Sequence, residues 1–276
     1  MSLKISRKVQ AMIVRSNGVD FNCDIEGPEG APWVTLSHAL ANNLTLWDEI
    51  ALALSTRYRV LRYDQRGHGL SEVVAGPYDF PMLIDDVLGI WGELGVKRSH
   101  WIGLSIGGMI GYGLGVHHPD RLHTIIACDS RPDAPPEYAA YFQSRIDKAR
   151  IYGMEGVVES TIERWFTPET LAANPPVLDR VREMIRTTSL AGHEGCCEAL
   201  KTLSYGLDLH RIPVPTLLLG GDKDKGAPPH FLAEGARKIP RGEHVVIPDA
   251  GHISALENPA AVLAAIESWL ERHPDA

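Results

Sequence analysis

Residues 100–111 read HWIGLSIGGMIG, with Ser105 set among Gly103, Gly107, Gly108 and Gly111 directly after a short apolar run. Capping a helix asks only for a side-chain oxygen near the first free backbone N–H groups, so it leaves the glycines unexplained. SHWIG (99–103) reads as a strand and IGGMIGYGLGVHH (106–118) as a helix, which puts Ser105 on the turn between them. A sharp strand-to-helix turn brings two backbones together, and residues without a Cβ two before and two after the serine permit that approach. Gly103-Leu104-Ser105-Ile106-Gly107 therefore has the form of a nucleophile elbow, a strained turn that presents a serine hydroxyl at the end of a strand.

The same alternation extends in both directions. VQAMIV (9–14), APWVTLSHA (31–39), YRVLRYD (58–64) and LHTIIACD (122–129) are short apolar, β-branched runs, and LTLWDEIALALS (44–55) and FPMLIDDVLGIWGELG (80–95) between them carry the helical period. From Arg131 to His210 the strand-like runs stop and the sequence becomes helical and punctuated by proline: RPDAPPEYAAYFQSRIDKAR, MEGVVESTIERWF, PPVLDRVREMIRTT. Strand and helix then alternate again through PTLLLGG, PPHFLAEGARKI, EHVVIP and NPAAVLAAIESWLERH. This order predicts an α/β fold, a mostly parallel central sheet flanked by helices. Residues 1–130 and 211–276 would form the core and 131–210 a helical insertion at the carboxyl end of a strand, where open sheets bind ligands.

Composition narrows the partners. The 276 residues are 44% hydrophobic and 22% charged with a formal net charge of −8, so the basic footprint of a nucleic-acid binder is missing. No stretch reaches the roughly 20 apolar residues of a membrane span, and MSLKISRKVQAMIVRS has no apolar signal core, so a cytoplasmic protein is expected. Cys23, Cys128 and the adjacent Cys196 and Cys197 have no metal-binding spacing and read as reduced, buried thiols.

A serine hydroxyl needs a base, and the base needs an orienting acid. Among 12 histidines, His252 stands out because Pro248-Asp249-Ala250-Gly251-His252 follows the strand-like EHVVIP and precedes the last helix. The acid should fall between nucleophile and base in chain order, at another strand's end. Gly220 to Pro228 supplies Asp222 and Asp224 there; Asp224 is preferred, and a metal held by the two aspartates is disfavoured because no further ligands lie nearby. Oxyanion donors would be the N–H of Ile106, after the serine, and that of Ala39 in the loop Ser37-His38-Ala39-Leu40-Ala41. No metal or cofactor is called for.

These residues resemble the α/β-hydrolase superfamily, and more narrowly the bacterial 3-oxoadipate enol-lactonases. The resemblance is carried by LSHALANNLTLWDEI, YRVLRYDQRGHGLSE, GLSIGGMIG, RWFTPE, GHEGCCEAL, GGDKDKGAPP and DAGHISALENP, and it covers nearly the whole chain. It implies the nucleophile at Ser105, the acid at Asp224, the base at His252 and oxyanion donors at Ala39 and Ile106, as the residues themselves suggest. It also implies ring-opening acyl transfer from an enol-lactone to water through an acyl-enzyme, without cofactor. His38, where family members carry a small amide, Arg131, where they carry a small N-T-A-like segment, and Trp165 in RWFTPE are the candidate substrate contacts. A lactone substrate of this kind bears a carboxylate, which a guanidinium would suit; Arg131, Arg145 and Arg164 are open for that task. Arg66 and His68 in YDQRGHG are expected to brace loops. The competing readings are a broad carboxylesterase, then a C–C bond hydrolase or perhydrolase, and, outside enzymes, a ligand receptor or a structural protein on the same fold.

Overall fold

The computed structural model describes residues 10–274, so the reading of residues 1–9, including any leader there, lies outside the described residues. Eight strands form one sheet: β1 (Gln10–Ser16), β2 (Val19–Glu26), β3 (Trp33–Ser37), β4 (Arg59–Tyr63), β5 (Ser99–Leu104), β6 (Leu122–Cys128), β7 (Thr216–Gly221) and β8 (Gly242–Ile247), in the order β1-β2-β4-β3-β5-β6-β7-β8. The pairings from β4 through β8 are parallel, and β1 and β2 join antiparallel at one edge. Every residue of β5 and of β7 is buried, as expected of strands covered on both faces.

β2 is absent from the strands expected above. VDFNCDIE alternates strictly, with Val19, Phe21, Cys23 and Ile25 buried while Asp20, Asn22 and Asp24 are half-buried. Asn17 and Gly18 before it have φ of 51° and 77°, the two left-handed positions of a tight hairpin turn. Period and turn were both present; the four polar residues among eight masked the strand in a search for apolar runs.

The helices are α1 (Asp48–Leu54), α2 (Phe80–Glu93), α3 (Ile106–His117), α4 (Pro136–Tyr152), α5 (Val158–Trp165), α6 (Pro168–Ala173), α7 (Pro176–Thr187), α8 (Leu190–Lys201), α9 (Pro229–Lys238), α10 (Ser254–Glu257) and α11 (Pro259–Arg272). In the core, α3 packs on β5 and β6, α9 on β7 and β8, and α11 against α1 and β8. The stretch between β6 and β7 is helical: α4 packs along α8 and α5 along α7. No helix among the described residues is long and apolar enough to cross a membrane.

Candidate active site

Ser105 joins β5 to α3 with φ 55° and ψ −117°, a strained conformation that lifts its side chain off the strand end. The glycines around it are required by contact. A Cβ on Gly103 would lie 2.2 Å from the Gly107 carbonyl carbon, and one on Gly107 would lie 2.4 Å from Ser37 O. Both atoms belong to backbone that cannot step aside. Gly103→Ala is expected to cost about 1–3 kcal/mol through forced backbone shifts, read as a lower urea midpoint, and to disturb the serine with it.

The chain closes three loops onto one point. Ser105 N–H donates to Cys128 O at 2.8 Å, which fixes the elbow to the end of β6. Asp224 lies in the loop after β7, where its Oδ1 accepts from Gly226 N–H at 2.6 Å. His252 lies in the loop after β8, and its N–H donates to Trp165 O at 2.7 Å, at the end of α5. His252 Nε2 is 3.1 Å from Ser105 Oγ, and Nδ1 is 2.9 Å from Asp224 Oδ2. A carboxylate only accepts, so Nδ1 carries the ring's proton and Nε2 is free to receive one from the hydroxyl. Asp222, the lesser acid candidate, instead accepts from Ala250 N–H at 3.1 Å and steadies the base loop.

Burial works against a charged imidazole at His252, but the charge and hydrogen bond of Asp224, with Asp129 behind, outweigh it and hold the ring above its ordinary value. A base raised this way takes a proton readily, yet stays neutral only at higher pH. The acid limb of kcat/KM should therefore lie above the ordinary histidine value of about 6.5, and a limb below that value would count against His252 as base.

Ser105 and His252 open into a cavity of about 390 Å³, counted with its mouth. Its walls are Leu40, Tyr138, Tyr141, Phe142, Trp165 and Leu200, with Arg145 and Arg164 among them. Trp165 therefore stands where the sequence placed it, its ring 6.2 Å from that of His252. Arg164 lies over the Tyr141 ring at 4.3 Å. Arg145 is buried; one nitrogen donates to Thr161 Oγ1 at 2.7 Å and Tyr141 Oη at 3.2 Å, while its Nε and Nη2 are buried with no oxygen acceptor among the described residues and the Cys197 thiol beside the group.

Two expected substrate contacts are corrected. His38 has no exposed surface and its ring turns away from the cavity: Nε2 accepts from Gln65 N–H at 2.9 Å, so Nδ1 donates to Ala39 O at 2.7 Å. It braces the loop that carries Ala39, and Gln65 Nε2 adds a bond to His38 O at 2.6 Å. Arg131 also lies outside the cavity wall, its guanidinium stacked 4.7 Å from the Tyr138 ring and 4.9 Å from Phe231. The aromatic rings take up its planar face, and of these residues Tyr138 lines the cavity with the serine. Arg66 pairs with Asp86 at 2.6 Å, and His68 bonds Arg66 O at 3.0 Å, both within the loop they were expected to brace.

A family model described as the alpha/beta hydrolase fold matches residues 32–259. The chain belongs to the α/β-hydrolase fold family. This hydrolase is 30% identical over 251 residues to 3-oxoadipate enol-lactonase 2 of Acinetobacter baylyi, covering 89% of this chain and 91% of that one. The crystal structure of the enol-lactonase from Burkholderia xenovorans superposes with a TM-score of 0.90 at 34% identity, over 94% of this chain and all of that one. A thermophilic esterase from Thermogutta terrifontis with malate bound superposes with a TM-score of 0.89 at 28% identity, over 96% of this chain and 99% of that one.

The hydrolase's cavity holds residues that sequence reading did not reach. Tyr138, Tyr141 and Phe142 recur at spacings of three and four along α4 together with Arg145, which was already a candidate, so the four share one helix face. That spacing was the available signal. Which face meets the cavity is decided by packing against α8, which the spacing does not encode.

Proposed function

We propose that this hydrolase opens a carboxylate-bearing lactone or ester through a serine acyl-enzyme, with 3-oxoadipate enol-lactone the leading substrate. Ser105 is the nucleophile, His252 the base and Asp224 the acid that orients it. Oγ attacks the acyl carbon as its proton passes to Nε2, and the oxyanion is received by the N–H groups of Ala39 and Ile106. Ile106 is the first residue of α3, so its N–H has no partner from within the helix. The protonated imidazole then donates to the departing oxygen, and the same nitrogen deprotonates the water that releases the acid. Residues 131–210 act as a cap over the core formed by 1–130 and 211–276.

One observation carries the substrate class: Arg145 lines the same cavity as Ser105, and its buried Nε and Nη2 have no oxygen acceptor among the described residues, only the Cys197 thiol beside the group. A buried cation whose partners are only hydroxyls and a thiol, with donors left over, is costly, and a substrate carboxylate would complete it with charge-assisted hydrogen bonds. The malate held by the esterase of similar fold and the activity named for the lactonases agree with an acidic ligand.

The second reading is a carboxylesterase for neutral esters, which the apolar wall of Tyr138, Tyr141, Phe142, Leu40 and Leu200 favours. Turnover of the enol-lactone beside p-nitrophenyl acetate and butyrate separates the two. Arg145→Gln is expected to lower kcat/KM for the lactone by about 10–100-fold while the neutral esters change little, the worth of a hydrogen bond to a charged group. Equal losses on all three substrates would remove the carboxylate from the proposal.

A further inference from the structure

The end of β6 touches every loop that brings the proposed machinery together. Cys128 O accepts from Ser105 N–H, and the next residue, Asp129, is buried with φ 48°. Its N–H donates to Leu219 O at 2.7 Å, pinning it beside β7. Asp129 Oδ1 accepts from Gly221 N–H at 2.9 Å, at the root of the loop that carries Asp224. Its Oδ2 accepts from Ser254 N–H at 3.2 Å and Ser254 Oγ at 2.6 Å, two residues beyond His252. A left-handed conformation costs a residue other than glycine about 1 kcal/mol or more, and here it aims one carboxylate at two loops.

Taking His252 as the base of the proposed reaction, we infer that Asp129 is its second carboxylate: a positioning residue that ties the acid loop to the base loop and places a further negative charge behind the imidazolium. A brace alone would not call for a carboxylate. Asparagine offers one oxygen, so it would leave one of the three donors facing an amide N–H, but a neutral acceptor in another geometry would serve packing equally well. Three donors converging on one buried side chain form a cradle for an anion. The charges around the site are Asp224 from the loop after β7, His252 from the loop after β8 and Arg164 from α5, with the neutral Cys128 thiol and Tyr138 hydroxyl beside them. Burial first, then the Asp224 charge, raises the Asp129 carboxyl, while the His252 charge and the bonds from Ser254 and Gly221 pull it back down. The charge of Asp129 is therefore favoured most when His252 is protonated, which is the state formed as the serine attacks. An interaction that strengthens in the transition state raises kcat and leaves substrate binding alone.

Asp129→Asn in the full chain tests this. The expected result is a folded variant whose kcat on a neutral ester falls about tenfold with KM unchanged, and whose acid limb moves to lower pH. The His252 ring, followed by NMR, should titrate in two coupled steps in the wild-type protein and in a single step at lower pH in the variant. A folded variant with the acid limb and the ring titration of the wild type would overturn the inference and leave Asp129 as a structural brace. Should the variant not fold, the wild-type titration decides: two coupled steps support the inference, and one independent step overturns it. The ring titration does not depend on turnover, so the inference can fail while Ser105 remains the nucleophile, and the reverse.

Discussion

Ser105→Ala is expected to lower kcat on every lactone or ester the protein turns over by about a million-fold, the cost seen when the nucleophile of a serine triad is removed. The effect should fall on kcat and spare KM, because in the proposed mechanism the hydroxyl is used in bond making and the cavity walls remain. Folding should survive. The Ser105 side chain bonds to the His252 ring alone, its backbone N–H still reaches Cys128 O, and alanine retains the Cβ that the turn already accommodates. Residual turnover would come from the oxyanion donors and from binding. A folded alanine variant keeping a tenth of the wild-type rate would show that water attacks without the serine, and the acyl-enzyme would have to be abandoned.

Much of this site could be read from the sequence because its constraints are local. The elbow needs glycines at fixed offsets from Ser105, and the places of Asp224 and His252 follow from strand ends and chain order. The tertiary parts were less visible. His38 follows β3 just as a ligand-facing residue would, but its ring direction depends on Gln65, which comes from the loop after β4. Arg131 follows β6 at the mouth of the helical layer, and only the packed positions of Tyr138 and Phe231 show that its charge is spent on aromatic faces. Arg145 and Arg164 were named beside Arg131 without a means to choose, since the rotation of α4 and α5 is set by α7 and α8. Asp129 illustrates the same limit more sharply. Its role consists of bonds to Gly221 and Ser254, which are 92 and 125 residues away in sequence.

Four buried histidines should each withdraw stability from this protein as the pH falls below about 6.5. His38 and His68 are buried and, because burial disfavours their charged forms, each is held down to about 4; His100, buried beside His123, is held at about 3. His193 is pushed below its ordinary value for the same reason. In the unfolded chain each would titrate near 6.5, so between those limits the unfolded state binds more protons and stability falls as pH falls. The stability these rings contribute is complete above about 6.5 and lost on the way down to about 4. For His38 and His68 the displacement amounts to about 3 kcal/mol each, and three such rings approach the 5–15 kcal/mol that holds a typical domain together. His252 acts in the opposite direction: its raised value gives stability that is present below 6.5 and lost as pH rises through the folded value. The buried carboxyls of Asp129, Asp64 and Asp86, each raised first by burial, also oppose the trend, so the net change with pH is smaller than the four lowered histidines alone would give. Between pH 7 and pH 4 the urea midpoint should therefore fall by more in the wild type than in His38→Gln, whose amide does not titrate there. An equal change in the two proteins would mean that the His38 ring is solvated or already paired as a cation, and that it does not brace the loop of Ala39 as a neutral imidazole.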